Sequence, residues 1–130
     1  MSYAAGDIVL FESAVAGKMK FHLCICVDLE NEMHSFIFLN SDGAGFRDQF
    51  IIDCNRIPAL KASRTGVTAF DCPTVHRKTG VQLAKLRSKV ICRLPKDVAE
   101  EFLVFASGIT SMTGRDHARL VSTLKEIADT

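Results

Sequence analysis

Two groups of polar residues in this sequence carry side chains that can bind and cleave a phosphodiester. They are Lys18, Lys20 and His22 in one group, and Asn40, Ser41 and Asp42 in the other. Lysine supplies a positive charge for a phosphate, and histidine can give or take a proton near neutral pH. Cleavage of RNA by its own 2′-hydroxyl needs a base, an acid and stabilisation of the charged phosphorane. These residue types therefore predict such chemistry, or else they are ordinary polar residues at strand ends.

Each of these residues except Asp42 has a role in this interpretation. Lys18 and Lys20 would bind the scissile phosphate, and His22 would act as general acid or base. Asn40 and Ser41 would orient the phosphate or the 2′-hydroxyl.

Two predicted strands must bring the two groups together. Residues 20–28 and 33–40 are rich in apolar and β-branched side chains, and the segment 29–32 between them is typical of a turn. In an antiparallel hairpin the start of the first strand lies beside the end of the second. Because alternate residues of a strand point to one face, the three basic residues are expected to share a face next to the second polar group.

The remaining elements predict a small β-domain that ends in helices. Further strands are predicted at 7–12, 49–54, 65–70 and 88–93. Two later segments then show helical spacing; their periodic residues are Val98, Phe102, Phe105 and Ile109, and His117, Leu120, Val121, Leu124 and Ile127. Thr113 with Asp116 resembles a capping box at the start of the second helix. We therefore predict one domain, 1–130, of α+β or mostly β class, with an antiparallel barrel at 1–93 and two C-terminal helices at 94–130 that pack on the sheet.

Charge is distributed unevenly along the chain. Residues 1–55 carry a net charge of −5, residues 56–93 carry +8, and residues 94–130 carry −2, which together give the overall +1. A cationic segment of this kind suits RNA or an acidic protein partner, and it also suits a solvated basic face with no partner. In the RNA interpretation five residues of this segment would follow the RNA backbone; they are Arg56, Lys61, Arg64, Arg77 and Lys78.

Cysteine and histidine residues offer a third class of function, a zinc protein or a cysteine-dependent enzyme. His22 lies near Cys24 and Cys26, and Cys54 and Cys72 precede His76. Structural zinc sites favour paired C-x2-C or H-x3-H clusters, and the sequence has no such pair. Cys72 and His76 could form a thiolate–imidazole pair if a turn joins them. Buried cysteine acting as a small apolar residue is the simpler interpretation.

Length and composition are typical of a soluble globular domain. The chain has 130 residues, of which 48% are hydrophobic and 24% charged. Its longest apolar stretches, such as 21–27, are too short to span a bilayer, and residues 1–7 lack the features of a signal peptide. The five cysteines have irregular spacing, unlike a disulfide framework. A cytoplasmic location is therefore expected.

Several segments resemble the MazF/PemK-type toxins of bacterial toxin–antitoxin systems. The segment GDIVL at 6–10 is followed by a loop of about ten residues and by a basic residue that leads into an apolar strand. The segment FIFLNS at 36–41 stands where that family ends its third strand in Thr or Ser, and 60–75 is similar to a later strand. A helix following at 95–108 also matches the family's habit of ending in helices.

The resemblance implies an SH3-like barrel, a homodimer and cofactor-free cleavage of single-stranded RNA. It also implies neutralisation by an acidic antitoxin protein. The family usually has Arg followed by Pro at the start of the second strand, where this chain has Lys20 followed by Phe21. Lysine lacks the bidentate guanidinium fork. The alternative is therefore a toxin-like barrel without nuclease activity that binds nucleic acid or an acidic protein.

Overall fold

The computed structural model describes residues 2–13, 17–41 and 48–130. Within them lie seven strands, three α-helices and a short 3-10 helix, Cys54–Arg56. The strands are β1 (Asp7–Glu12), β2 (Met19–Asp28), β3 (Met33–Asn40), β4 (Gln49–Asp53), β5 (Val67–Asp71), β6 (His76–Thr79) and β7 (Lys89–Arg93). The helices are α1 (Gly80–Lys85), α2 (Lys96–Ala106) and α3 (Gly114–Ala128). None of the helices in the described part of the chain is both long and apolar enough to cross a membrane.

The strands form one antiparallel sheet in the order β4-β5-β3-β2-β1-β7, and β6 pairs with β3 beside β5. The predicted hairpin of β2 and β3 is confirmed, with Phe21 opposite Leu39 and Asp28 opposite Met33. The α+β class and the mostly antiparallel sheet are confirmed as well. The outer strands β4 and β7 do not pair with each other among the described residues, so the sheet is not closed and the predicted SH3-like barrel is not confirmed.

Besides the short 3-10 helix, two elements were not predicted from the sequence, β6 and α1. Strand β6 has the sequence HRKT, which lacks the alternation of apolar and polar residues that marks a half-buried strand. Helix α1 begins at a capping box, because Thr79 accepts a hydrogen bond from the backbone of Gln82 and the Gln82 side chain accepts one from the backbone of Thr79. A T-x-x-Q pattern was therefore present in the sequence, but α1 is only six residues long.

The larger core lies between one face of the sheet and helices α2 and α3. Phe102 of α2 is completely buried and stacks on Phe50 of β4, with ring centroids 4.5 Å apart. Leu120 and Leu124 of α3 are buried in the same core. The two predicted helical faces therefore pack against the sheet, as expected for amphipathic helices. Burial of these large apolar side chains is the main force that holds the helices in place.

A smaller core covers the opposite face of the sheet. Val9 and Phe11 of β1, Cys24 of β2 and Phe36 of β3 pack there against Leu83 of α1. Neighbouring residues of a strand point to opposite faces. Consequently Leu23 enters the larger core, whereas Cys24 enters the smaller one. The sheet is therefore covered on both faces, and this arrangement decides which polar residues of β2 reach solvent.

Candidate functional site

A cavity of about 280 Å³ opens where the start of β2 and the end of β3 meet the loop that precedes β5. We call it the cationic cavity, because four basic residues from two separate segments line it. They are Lys18, Lys20, Lys61 and Arg64. Three hydroxyl residues line it as well; they are Ser41, Ser63 and Thr68. These groups supply charge and hydrogen-bond donors of the kind that bind an oxyanion.

Local hydrogen bonds hold the walls of the cationic cavity in place. The backbone N–H of Ser13 donates to the carbonyl of Lys18, which fixes the start of β2. The hydroxyl of Thr65 donates to the carbonyl of Ser41 over 3.2 Å, and the hydroxyl of Ser63 donates to the carbonyl of Val67 over 2.7 Å. The loop that carries Lys61 and Arg64 is thereby attached to the end of β3 and to β5.

No carboxylate offsets the positive charge of the cationic cavity among the described residues that line it. Within the described ranges, Lys18, Lys61 and Arg64 form no salt bridge. Cationic groups that line a cleft with walls of low dielectric constant concentrate their electric field inside the cleft. The cavity therefore attracts anions.

Apolar side chains form the rest of the lining. Phe21 and Leu39 face each other across the hairpin and both line the cavity, together with Leu60 from the loop. Met19 is 50% exposed at the rim. An aromatic ring beside cationic groups can stack on a nucleobase while the charges hold the neighbouring phosphates. The cavity therefore suits an anion that carries a flat apolar group.

His22 lies away from the cationic cavity. Its side chain is completely buried, and its ring stacks on Phe11 with ring centroids 3.6 Å apart. Its Nδ1 atom lies 2.8 Å from the carbonyl oxygen of Lys20. The ring of His76 stands edge-on to it, with centroids 5.9 Å apart. Lys18 and Lys20 line the cationic cavity, whereas the side chain of His22 is buried and does not.

The environment of His22 also keeps it neutral. Burial, and to a smaller extent the neighbouring His76, lower the pKa of His22 to about 3. The pKa of His76 is lowered as well, by burial and then by Lys78. The Nε2 atoms of both rings are buried and have no hydrogen-bond partner among the described residues. A general acid or base for a bound ligand needs contact with that ligand, and His22 is not placed to provide it.

The structure places the other predicted site residues in different environments. Arg56 forms salt bridges with Asp97 and Glu101 of α2, at a separate surface depression. Arg77 pairs with Asp116 of α3. Lys78 lies opposite His34 in the pairing of β6 with β3, and Asn40 lies opposite Ala69. These residues do not line the cationic cavity, whereas Lys18, Lys20, Ser41, Lys61 and Arg64 do. Asp42 lies outside the described residues.

Phe21, Ser63 and Thr68 are among the lining residues of the cavity that sequence reasoning missed. Phe21 follows Lys20 on β2, so strict alternation places it on the opposite face. It still lines the cavity, because the cavity lies at the end of the hairpin rather than on one face of the sheet. The segment SRTG at 63–66 is typical of a loop, and Gly66 adopts a φ of +80°, which glycine tolerates. No local signal showed that this loop would fold against β3.

The metal and cysteine alternatives gain no support from the geometry. In the described part of the chain, no group of three or more His, Cys, Asp or Glu side chains is arranged to hold a metal ion. Cys72 is completely buried, and burial raises the pKa of its thiol to about 12. Its Sγ donates to the carbonyl of Phe70 over 3.6 Å. A buried, protonated thiol is a poor nucleophile, so Cys72 acts as an apolar core residue.

Comparison with known proteins identified no relative of this chain. No family model matches the sequence, and no match was found among curated proteins or among solved structures. The resemblance to MazF/PemK-type toxins stays a prediction from short sequence segments. The functional argument therefore depends on the geometry of the cationic cavity.

Proposed function

We propose that the protein binds single-stranded RNA at the cationic cavity. One observation carries the proposal: Lys18, Lys20, Lys61 and Arg64 converge on one cavity without an acidic residue among its described lining. Phosphate neutralisation by Lys and Arg supplies most of the affinity for nucleic acids. The net charge of +8 in residues 56–93 supports the same ligand class.

The shape of the lining favours single strands over duplexes. Phe21, Leu39 and Leu60 provide an apolar surface next to the cations. An unpaired base can lie on such a surface, whereas the bases of a duplex are stacked inside the helix. The Ser41 hydroxyl would donate to a phosphate oxygen, and the Ser63 hydroxyl, which already donates to the carbonyl of Val67, would accept from the ribose 2′-hydroxyl.

Metal-independent cleavage of the bound RNA is a second candidate function. The observation that favours it is that Ser41 lines the same cavity as Lys18 and Lys20. Three of the five residues assigned to phosphate binding and catalysis at this end of the hairpin are therefore together. The lysine ammonium groups would stabilise charge on the phosphorane, and the Ser41 hydroxyl would orient the phosphate. His22 takes no part in this version, because it is buried away from the cavity. Water would then take the proton of the 2′-hydroxyl and protonate the leaving 5′-oxygen, so we expect slow cleavage.

Fluorescence anisotropy with a labelled mixed-sequence single-stranded RNA, in the presence of EDTA, tests the binding proposal. We expect Lys61→Ala/Arg64→Ala to weaken binding at least about tenfold, because two phosphate contacts are lost. The matched control is Lys85→Ala/Lys125→Ala, which removes two exposed lysines elsewhere on the surface. An equal loss in both variants would mean non-specific attraction, and no binding by the wild type would reject the proposal.

Electrophoresis of the same RNA after incubation in EDTA tests cleavage. Discrete fragments from the wild type, absent with Lys20→Ala/Ser41→Ala, would establish the nuclease at this cavity. If the RNA is bound tightly but stays intact, the protein binds RNA without cleaving it. Failure to bind RNA, together with capture of a short acidic protein that is lost in Lys61→Ala/Arg64→Ala, would assign the cavity to a protein partner of antitoxin type instead.

A further inference from the structure

A second basic cavity, of about 230 Å³, lies at the opposite end of the β2–β3 hairpin. We call it the arginine cavity, because three arginines line it; they are Arg77 of β6 and Arg115 and Arg119 of α3. Asp28, at the end of β2, also lines it, eight residues beyond Lys20. The nearest lining residues of the two cavities on β2 are Phe21 and Cys26, which at about 3.3 Å per residue lie roughly 16 Å apart. They are therefore separate sites.

Arg77 is held in the arginine cavity by a buried carboxylate. Both carboxylate oxygens of Asp116 lie close to the Nη2 atom of Arg77, at 2.8 and 2.7 Å. The side chain of Asp116 is only 4% exposed. Its own backbone N–H donates to the hydroxyl of Thr113, the cap of α3. Only Nη2 of the guanidinium is used, and within the described ranges its other nitrogens have no hydrogen-bond partner. The buried ion pair therefore orients Arg77 with donors left for a ligand.

The guanidinium groups of Arg115 and Arg119 have weaker contacts with carboxylates than that of Arg77. The Nη1 atom of Arg119 lies 3.8 Å from a carboxylate oxygen of Asp116, beyond hydrogen-bond distance. Arg115 is exposed and forms no salt bridge with any residue that the structure describes. Three guanidinium groups thus meet two carboxylates at this cavity, Asp116 and Asp28.

The carboxylate of Asp28 already accepts two hydrogen bonds within the turn of the hairpin. One of its carboxylate oxygens accepts a hydrogen bond from the backbone N–H of Glu30, and the other accepts one from the side-chain amide of Asn31. Both bonds hold the carboxylate at the turn. The negative charge of Asp28 remains, so three guanidinium groups and two carboxylates leave the arginine cavity with a net charge of +1 and several unused guanidinium donors.

We propose that the arginine cavity binds a phosphomonoester group. Guanidinium forks match the oxygens of phosphate, and a dianion gains more than a monoanion from three cations. The cavity is smaller than the usual range of about 300–1,000 Å³ for sites that enclose a whole small-molecule ligand. It therefore accepts the phosphate group and leaves the remainder of the ligand outside. The phosphate could belong to a small phosphorylated molecule or to the terminus of a nucleic acid.

Isothermal titration with phenyl phosphate at fixed ionic strength tests this proposal. The cationic cavity also suits an anion with a flat apolar group, so the titrations are made in the Lys61→Ala/Arg64→Ala background, where we expect Arg115→Ala/Arg119→Ala to weaken binding at least tenfold. Both arginines are exposed or half-exposed, so the variant should fold, and circular dichroism checks this. Arg115→Lys/Arg119→Lys keeps the charge and should still weaken binding several-fold, because the forks are lost.

Three results would overturn the proposal. They are the absence of phenyl phosphate binding to the wild type, equal binding of a phosphodiester such as diphenyl phosphate, and unchanged binding in the arginine variant. Two further ligands identify the source of the phosphate. Tighter binding of a 5′-phosphorylated than of a 5′-hydroxyl oligonucleotide, lost in Arg115→Ala/Arg119→Ala, would assign it to a nucleic-acid terminus. Equal binding of the two oligonucleotides, with phenyl phosphate still bound, would assign it to a small molecule. The test does not depend on RNA binding at the cationic cavity.

Discussion

Two groups of basic residues next to strand β2 differ in how far they are exposed to solvent. The cationic cavity contains Lys20 at the open end of the hairpin, where no described carboxylate lines the wall. The histidine cluster contains His22, two residues further along, packed between Phe11, Phe36 and His76. Lysine at an open rim keeps its charge and can attract a ligand, whereas histidine in an apolar core stays neutral and contributes packing. Position in the fold therefore decides which basic residues can act.

Removal of an aromatic ring from the histidine cluster should have the largest effect on stability. Phe36 is completely buried and its ring centroid lies 5.0 Å from that of Phe11. Phe36→Ala should lower the free energy of unfolding by about 3–5 kcal/mol through lost burial and the resulting cavity. Urea denaturation measures this, with Val104→Ala as the control, since Val104 is 76% exposed. A loss near that of the control would mean that the cluster contributes little to the fold.

Acidification should weaken the fold through the histidine cluster. The pKa of His22 is about 3 in the folded chain against 6.5 for an ordinary histidine, so the unfolded chain binds the proton more readily. Stability is therefore complete above about pH 6.5 and decreases as the pH falls toward 3. Between pH 7 and pH 5 the loss should be about 2 kcal/mol.

The variant His22→Phe isolates this contribution, because phenylalanine keeps the stacking and cannot titrate. Urea denaturation at pH 7 and pH 5 should show a smaller decrease in stability for the variant than for the wild type. The lowered pKa of His76 acts in the same direction and leaves a residual decrease. An identical pH dependence of both proteins would contradict the placement of His22 in the core.

Salt dependence separates the cationic cavity from general surface charge. For single strands the logarithm of the binding constant falls with the logarithm of salt by about 0.7 per neutralised phosphate. Lys61→Ala/Arg64→Ala should therefore reduce the slope by about 1.4, and Lys85→Ala/Lys125→Ala should leave it nearly unchanged. Anisotropy titrations at several salt concentrations provide the slopes. Equal slopes for the two variants would place the RNA elsewhere.

The smallest effect is expected at Arg56. This residue was predicted to contact RNA, but its guanidinium pairs with Asp97 and Glu101. Exposed ion pairs contribute little to stability, and these carboxylates would repel a phosphate. Arg56→Ala should therefore change neither the thermal midpoint nor the RNA affinity measurably. A clear loss of RNA affinity would extend the interface beyond the cationic cavity.

Local patterns predicted much of the fold. The β2–β3 hairpin, the strands near both ends of the sheet and the two C-terminal helices follow from alternation, turn residues and helical spacing. At the start of α3 the Thr113 hydroxyl accepts the predicted bond from the backbone of Asp116. The Asp116 side chain instead pairs with Arg77, which lies 39 residues earlier in the chain. A contact between residues so far apart in the chain cannot be recognised from a local sequence pattern.

The candidate site was only partly predictable for the same reason. The hairpin register placed Lys20 near Ser41, and this depended on two neighbouring strands. Burial of His22 depended on β1 and on the unpredicted strand β6, which bring Phe11 and His76 against it. The contribution of Lys61 and Arg64 depended on a loop that attaches to β3 through Thr65. Long-range packing therefore decides which of the polar candidates line the cavity.

Amide NMR spectra recorded during titration with single-stranded RNA test the central claim most directly. If the cationic cavity binds the RNA, the largest shifts will occur at residues 18–21, at Ser41 and at residues 60–64, with little change at His22 and His76. These shifts should disappear in Lys61→Ala/Arg64→Ala and persist in Lys85→Ala/Lys125→Ala. Shifts centred on Arg56 or on Arg77, with none at residues 60–64, would contradict the claim.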